Sequence, residues 1–355
     1  MSQISDVRPI EITGATPHPH PAPSANPTRI FQTINAFQQT GALRAAIELD
    51  VFTAIAEGLK TAPEIAQHVH AAERGVRILC DYMALLGLLT KNEGRYSLAE
   101  DAAIFLDRRS PAYMGTMVRF LNAPEILDAY RDLTPAVRKG GTTMSGKGSV
   151  DPEDPLWVEF ARSMAPMMYM PARRIAELLS ADAGQRIKVL DIAAGHGLFG
   201  IAIAKRNPQA QIVALDWKPV LEVALENARK EGVDARYSTL PGSAFEAEFG
   251  HGYDLVLLTN FLHHFNPQTC EGLLRKAHAA LAPGGRVVLL EFVPNEDRVT
   301  PPESAFFSLI MLGTTPDGDA YTFAEFQEML AHAGFASADL VCLEQMPESV
   351  IIATK

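Results

Sequence analysis

Cysteine is scarce in this chain of 355 residues: Cys80, Cys270 and Cys342 are the only three, and they lie far apart. No disulfide framework or zinc-ligand spacing can be built from them, which fits a reducing compartment. Basic charge is short as well. Lys and Arg number 31 against 42 Asp and Glu, a formal net charge of −11. Nucleic acid and anionic membrane surfaces both call for cationic protein surface, so neither is an expected partner. No apolar run approaches the roughly 20 residues that span a bilayer. The N-terminus also lacks a charged start followed by an apolar stretch, so no signal peptide is expected and the expected location is the cytoplasm. The chain does have apolar mass. With 47% hydrophobic and 21% charged residues, it can pack more than one domain.

Residues 1–27 are rich in Pro, His, Ser and Thr and read as an extended tail. From Thr28 the apolar residues Phe31, Ile34, Phe37, Leu43 and Ile47 recur at helical spacing. LDVFTAIAEG ends on a glycine suited to a helix C-cap. TAPEIAQHV opens with Thr61 and Glu64, a capping-box pair. A third helix, RGVRILCDYMALLGLL, leads into LLTKNEGRYSLAE, which reads as a hairpin. Helices followed by a hairpin make a winged-helix-like unit over 28–110. Its basic residues are nearly cancelled by acidic ones, and its third helix is mostly apolar, so DNA is not the expected partner. Residues 111–180 read as connecting helices. Their cluster of Met164, Met167, Met168 and Met170 suits either adaptable core packing or an apolar wall over a ligand.

From Arg186 the rhythm becomes strand, helix, strand: IKVLDIA, QIVALD, YDLVLLTN and GRVVLLEF alternate with helical stretches. Such runs point to buried parallel strands, hence an α/β, Rossmann-like domain over 181–355. The segment Val189 to Gly200 runs from strand into a glycine turn and then a helix. Gly195-x-Gly197-x-x-Gly200 matches the dinucleotide fingerprint, which makes a nicotinamide enzyme a competitor. Asp191 precedes the glycines. A carboxylate there repels a pyrophosphate and attracts an ammonium group. Asp216 ends the next strand, where a carboxylate suits ribose hydroxyls in either class of cofactor. Leu281-Ala282-Pro283-Gly284-Gly285 before the strand RVVLLE has no role in a dinucleotide fold.

On these residues the C-terminal half resembles the class I S-adenosylmethionine-dependent methyltransferases. From about residue 30 onward the chain is similar to the two-domain small-molecule O-methyltransferases that act on plant phenolics, acetylserotonin and bacterial polyketides. The carriers are LDVFTAI, TAPEIAQHV, LLGLLTKNEGRYSL, VLDIAAGHG, LHHF, LAPGGRVVLLE and FAEFQEMLAHAGF. The resemblance implies a homodimer formed through the N-terminal domain and S-adenosyl-L-methionine as cofactor. Cofactor contacts would come from Asp191, Ala193, Gly195, Gly197, Asp216 and Trp217, then from Ser243, Phe245, Thr259 and Asn260. Two of these depart from the family pattern. Ser243 stands where the family has an aspartate, and Thr259 stands where it commonly has a lysine.

Methyl transfer asks a protein mainly for alignment and exclusion of water. A phenolic acceptor also has to lose a proton, and only about one phenol in a thousand is ionised at pH 7. His263 aligns with the family's catalytic histidine and Glu291 with one of its acidic partners. The second acidic partner aligns with Ala320, beside Asp319. His264, Met164, Met168, Phe307 and Met311 are expected to line the acceptor pocket. No cluster of carboxylates points to a metal. The expected function is therefore O-methylation of a small aromatic or polyketide-like metabolite. A carbon or nitrogen acceptor, a cofactor-binding relative that transfers no methyl, and a winged-helix ligand-sensing regulator are the alternatives.

Overall fold

The computed structural model describes residues 25–146, 148–150, 155–179, 184–344 and 346–355. Most of the N-terminal tail and the expected domain boundary near 180 fall outside the described residues.

The N-terminal unit is helical up to Leu85 and then forms a hairpin of β1 (Leu89–Asn92) and β2 (Arg95–Leu98). Glu93 and Gly94 both take left-handed φ values, 49° and 77°. That is the backbone of a tight turn whose twist matches the strands. The expected capping box is present. The Thr61 side chain accepts from the Glu64 N–H, and the Glu64 carboxylate accepts from the Thr61 N–H. Phe52, Ile65, Met83, Leu89 and Tyr96 form the core of this unit. Its first two helices, Thr28–Ile34 and Ala36–Glu48, leave Ile30, Phe31, Ile34 and Phe37 exposed.

The C-terminal domain is built on a seven-stranded sheet. Its strands are β3 (Lys188–Ile192), β4 (Gln211–Asp216), β5 (Tyr237–Pro241), β6 (Tyr253–Thr259), β7 (Leu281–Glu291), β8 (Ser337–Cys342) and β9 (Ser349–Thr354). The spatial order is β5-β4-β3-β6-β7-β9-β8. β3 to β7 pair in parallel, and β9 runs antiparallel to both neighbours. Alternate residues face opposite layers. Val189, Leu255 and Leu257 pack under the helices Ala165–Leu178 and Leu198–Arg206, whereas Leu190, Ile192 and Leu258 pack under Pro267–Ala280 and Phe323–His332. Burial on both faces explains why these strands read as continuous apolar runs.

The Pro-Gly-Gly segment lies inside β7, where the sequence had it preceding a strand. Leu281 faces Tyr253 and Arg286 faces Leu255, so residues 282–285 bulge out of the ladder. The strand order reverses about β3: β4 and β5 lie to one side and β6 and β7 to the other. Such a switch point opens a crevice at the carboxyl ends of the strands. Among the described residues, no helix is long and apolar enough to cross a membrane.

Candidate active site

A cavity of about 850 Å³ opens at that crevice. Its floor is the glycine loop after β3. Gly197 has φ 76° and starts the helix Leu198–Arg206. Gly200, one turn into the helix, has no room for a side chain: an added Cβ would sit 2.7 Å from Ile212 Cγ2. The two strand-end aspartates hold the loop from beneath and beside. Asp191 Oδ2 accepts from the Gly200 N–H at 3.1 Å. Asp216 Oδ2 accepts from the Gly195 N–H at 2.8 Å, and its Oδ1 accepts from the Trp217 N–H at 2.7 Å.

Burial raises both carboxyls. Asp191 is pushed up to about 7, with the Gly200 N–H opposing and the Asp216 charge adding. Asp216 is pushed up to about 6, opposed by the N–H groups of Gly195 and Trp217. Asp191 lies sealed beneath the loop and does not line the cavity, while Asp216 does. Ala193 and Asn260 carry left-handed φ values of 54° and 52° although neither is glycine. Both line the cavity, and left-handed backbone held without glycine is characteristic of functional walls. Asn260 Nδ2 donates to Met168 Sδ at 3.4 Å, while its buried Oδ1 has no partner.

Of the residues singled out from sequence, Ala193, Gly195, Asp216, Trp217, Ser243, Phe245, Thr259, Asn260 and His264 line this one cavity. The Ser243 hydroxyl accepts from the Phe245 N–H at 3.2 Å and so shapes its own turn. Gly197 lies just behind the wall, where a Cβ would meet Tyr237 Oη at 2.5 Å and Ala224 Cβ at 2.9 Å. Met164 and Met311 are buried away from the lining. Sequence reasoning missed Trp157 and Phe160, whose ring centroids are 5.5 Å apart, and also His196. Trp157 is one of only two tryptophans in the chain, a signal that was there to be used. Burial pushes the His196 imidazole down to about 4. Its Nδ1 accepts from the Leu198 N–H at 3.2 Å, so it is a neutral ring.

His263 and Glu291 form a buried pair behind the cavity. His263 sits on a short helical turn after β6, and Glu291 ends β7. Their Nδ1 and Oε2 are 2.5 Å apart, with the side chains 4% and 1% exposed. Glu291 Oε1 also accepts from the N–H groups of Phe261 (3.1 Å) and Leu262 (2.8 Å). A carboxylate that only accepts fixes the proton on His263 Nδ1 and leaves the Nε2 lone pair free. The His263 ring touches Phe307 (centroids 4.7 Å apart) and His264 (4.3 Å). Burial, followed by the neighbouring His263, holds His264 well below its ordinary range. Its Nδ1 lies 3.2 Å from the Phe261 carbonyl. Among the described residues, no group of three or more His, Cys, Asp or Glu side chains could hold a metal.

Comparison with known proteins agrees with this architecture. Residues 134–336 match the O-methyltransferase domain, and residues 31–108 match the O-methyltransferase dimerisation domain. The chain is 30% identical over 317 residues to 3-hydroxy-5-methyl-1-naphthoate 3-O-methyltransferase of Streptomyces sahachiroi, covering 87% of this chain and 89% of that one. A crystal structure from Nostoc punctiforme, of a protein ascribed to the O-methyltransferases, superposes with a TM-score of 0.91 at 52% identity. It covers 94% of this chain and 100% of that one. Human N-acetylserotonin methyltransferase, solved with S-adenosylmethionine, shares the fold at 22% identity with a TM-score of 0.80, covering 94% of this chain and 99% of that one. The chain belongs to the S-adenosylmethionine-dependent O-methyltransferase family.

Proposed function

We propose that this enzyme methylates a hydroxyl group of a small aromatic or polyketide-like metabolite, with His263 as general base and Glu291 as its orienting carboxylate. The observation that carries the reading is the buried 2.5 Å contact between His263 Nδ1 and Glu291 Oε2. The naphthoate and tetracenomycin O-methyltransferases among its relatives support the acceptor class.

The cavity suits the cofactor on its own chemistry. It offers the strand-end carboxylate of Asp216 for ribose hydroxyls and the aromatic faces of Trp217 and Phe245 for an adenine. It also offers the unpartnered Asn260 Oδ1 as an acceptor for the ammonium group. Ala193, Gly195, Ser243 and Thr259 supply its wall, while Gly197 and Asp191 shape the loop from behind. S-adenosylmethionine, when bound, supplies a sulfonium methyl that is already electrophilic. What remains for the chain is to align the acceptor and remove its proton. The acceptor hydroxyl would give its proton to His263 Nε2, and Glu291 would stabilise the resulting imidazolium. His264, which lines the cavity, and Phe307 are both in ring contact with His263 and form the acceptor side of the base, while Met164, Met168 and Met311 pack behind the lining. A phenol ring carbon could use the same base. A relative at 28% identity, an L-tyrosine C(3)-methyltransferase, keeps that second reading in view.

In this reading the chain divides into a tail (1–27), a dimerisation domain (28–110), connecting helices (111–180) and a catalytic domain (181–355). It works as a cytoplasmic homodimer on a small molecule and not on nucleic acid. The test is calorimetric titration with S-adenosylmethionine and S-adenosylhomocysteine, on wild type and on Asp216→Ala, followed by an acceptor screen with His263→Gln as control. Micromolar binding lost in Asp216→Ala, and turnover lost in His263→Gln, support the reading. Full turnover by His263→Gln overturns the base assignment.

A further inference from the structure

One buried carboxylate has no role in the chemistry above. Glu348 immediately precedes β9, is 1% exposed, and has a buried Oε1 without a hydrogen-bond partner. Unsatisfied polar atoms are uncommon in native cores, and a carboxylate is among the costliest to leave so. Its position follows from the sheet register. Ser349 pairs with Glu291, so Glu348 stands at the mouth of β7, beside the residue that follows Glu291. That residue, Phe292, stacks on Phe307 with ring centroids 3.8 Å apart, and Phe307 in turn touches the His263 ring. The Ser304 hydroxyl donates to the Pro347 carbonyl at 2.5 Å and ties this segment to the helix Pro302–Ala305. The charged groups facing Glu348 are Glu291 of β7 and His263 of the loop after β6. Burial pushes the Glu348 carboxyl up, its own backbone N–H opposes that, Glu291 adds to the rise and His263 works against it.

The place where the family resemblance puts a second acidic partner is empty of charge here. Ala320 is fully buried, and the neighbouring Asp319 turns outward to Arg298, 3.4 Å away.

We propose that Glu348 is the second acidic partner of His263, a positioning residue whose negative charge joins that of Glu291 in stabilising the protonated imidazole. It brings in, from the residue just before β9, the carboxylate that the loop around 320 lacks. The inference rests on the reading of His263 as general base, through which Glu348 acts. A neighbouring opposite charge favours the protonated form of an imidazole, so removing that charge moves the ring's titration to lower pH.

The test needs no acceptor. Full-length protein is labelled with carbon-13 at histidine Cε1 and titrated by NMR between pH 4.5 and 10. The His263 signal is identified by its loss in His263→Gln. In Glu348→Gln, which keeps shape and removes charge, the His263 midpoint is expected to fall by about half a pH unit or more. The midpoints of the solvent-exposed histidines stay in place. Glu348→Asp draws the carboxylate back by one methylene. It is expected to lower the midpoint less, and it carries the test if the glutamine variant does not fold. Coincident His263 titrations in wild type and variant overturn the proposal while leaving the base reading standing, provided His263→Gln has lost turnover. Retained turnover in His263→Gln overturns the base reading, and this proposal with it.

Discussion

Glu291 holds His263 in a single tautomer, because its Oε2 takes the Nδ1 proton while its Oε1 is occupied by the backbone N–H groups of Phe261 and Leu262. Glu291→Gln tests that arrangement without emptying the site. The amide oxygen can keep the two backbone donors. The amide nitrogen then faces Nδ1 as a donor and drives the proton to Nε2, where the base is needed. The expected result is a fall in kcat of roughly a hundredfold or more, the scale of general-base catalysis. Affinity for S-adenosylhomocysteine should change little. Steady-state rates with a phenolic acceptor, set beside calorimetry, check both parts.

Asp216 gives the cofactor site a pH dependence of its own. Its carboxyl is pushed up to about 6 by burial, and a protonated carboxyl is a poor acceptor for two ribose hydroxyls. Binding should therefore be at full strength above pH 7 and weaken about tenfold by pH 5, one unit below the midpoint. The amino and carboxylate groups of S-adenosylhomocysteine do not titrate across that window. Calorimetry at pH 7.5 and pH 5 decides the matter, and equal affinities at both would remove Asp216 from the ribose.

The parts of this molecule that were legible in sequence are those written by local rules. The capping box at Thr61 and Glu64, the Glu93–Gly94 turn and the strand–glycine–helix passage from Val189 to Gly200 depend on neighbours a few residues away. The pairing of His263 with Glu291 was reached through resemblance. What brings them together is the parallel register of β6 and β7, which spacing alone does not reveal. Trp157 and Phe160 went unread because they reach the cavity on the helix Leu156–Ser163, which ends well before the first strand of the sheet, β3, begins at Lys188. The direction of the Asp191 side chain was equally out of reach. Whether a strand-end carboxylate faces a ligand or the following helix is decided by how tightly that helix packs, here by the bare Cα of Gly200 against Ile212.

Asp191 should weaken the fold at neutral pH. Its carboxyl sits at about 7 in the folded chain against an ordinary 3.8. The folded state therefore binds the proton more tightly than the unfolded one, and stability is lost as pH rises from about 4 through 7. Asp191→Asn keeps an acceptor for the Gly200 N–H and removes the buried charge. It should raise the Tm at pH 8 by several degrees, and the advantage should shrink steadily as pH falls toward 4. Thermal unfolding of both proteins without cofactor across that range checks the sign. A variant less stable than wild type at pH 8 would mean that the buried Asp191 charge is compensated in the folded chain.

The N-terminal helices make the last prediction. Ile30, Phe31, Ile34 and Phe37 are 63%, 59%, 63% and 71% exposed in the single chain. They lie within or next to the span that matches the dimerisation domain. Four large apolar side chains on two consecutive helices form a patch that a lone soluble protomer seldom carries, and burying each against a second copy contributes roughly 1.5–3 kcal/mol. Wild type is expected to sediment at about twice 38.6 kDa. Phe31→Asp combined with Phe37→Asp places two charges in that contact and should shift the protein to a single-chain mass, with its far-ultraviolet circular dichroism unchanged. These positions are remote in sequence from every residue assigned to the cofactor site. Calorimetry on the monomeric variant therefore separates assembly from binding. Retained affinity for S-adenosylhomocysteine would show that each protomer completes its own cofactor site, and lost affinity would show that the second copy holds that site in shape.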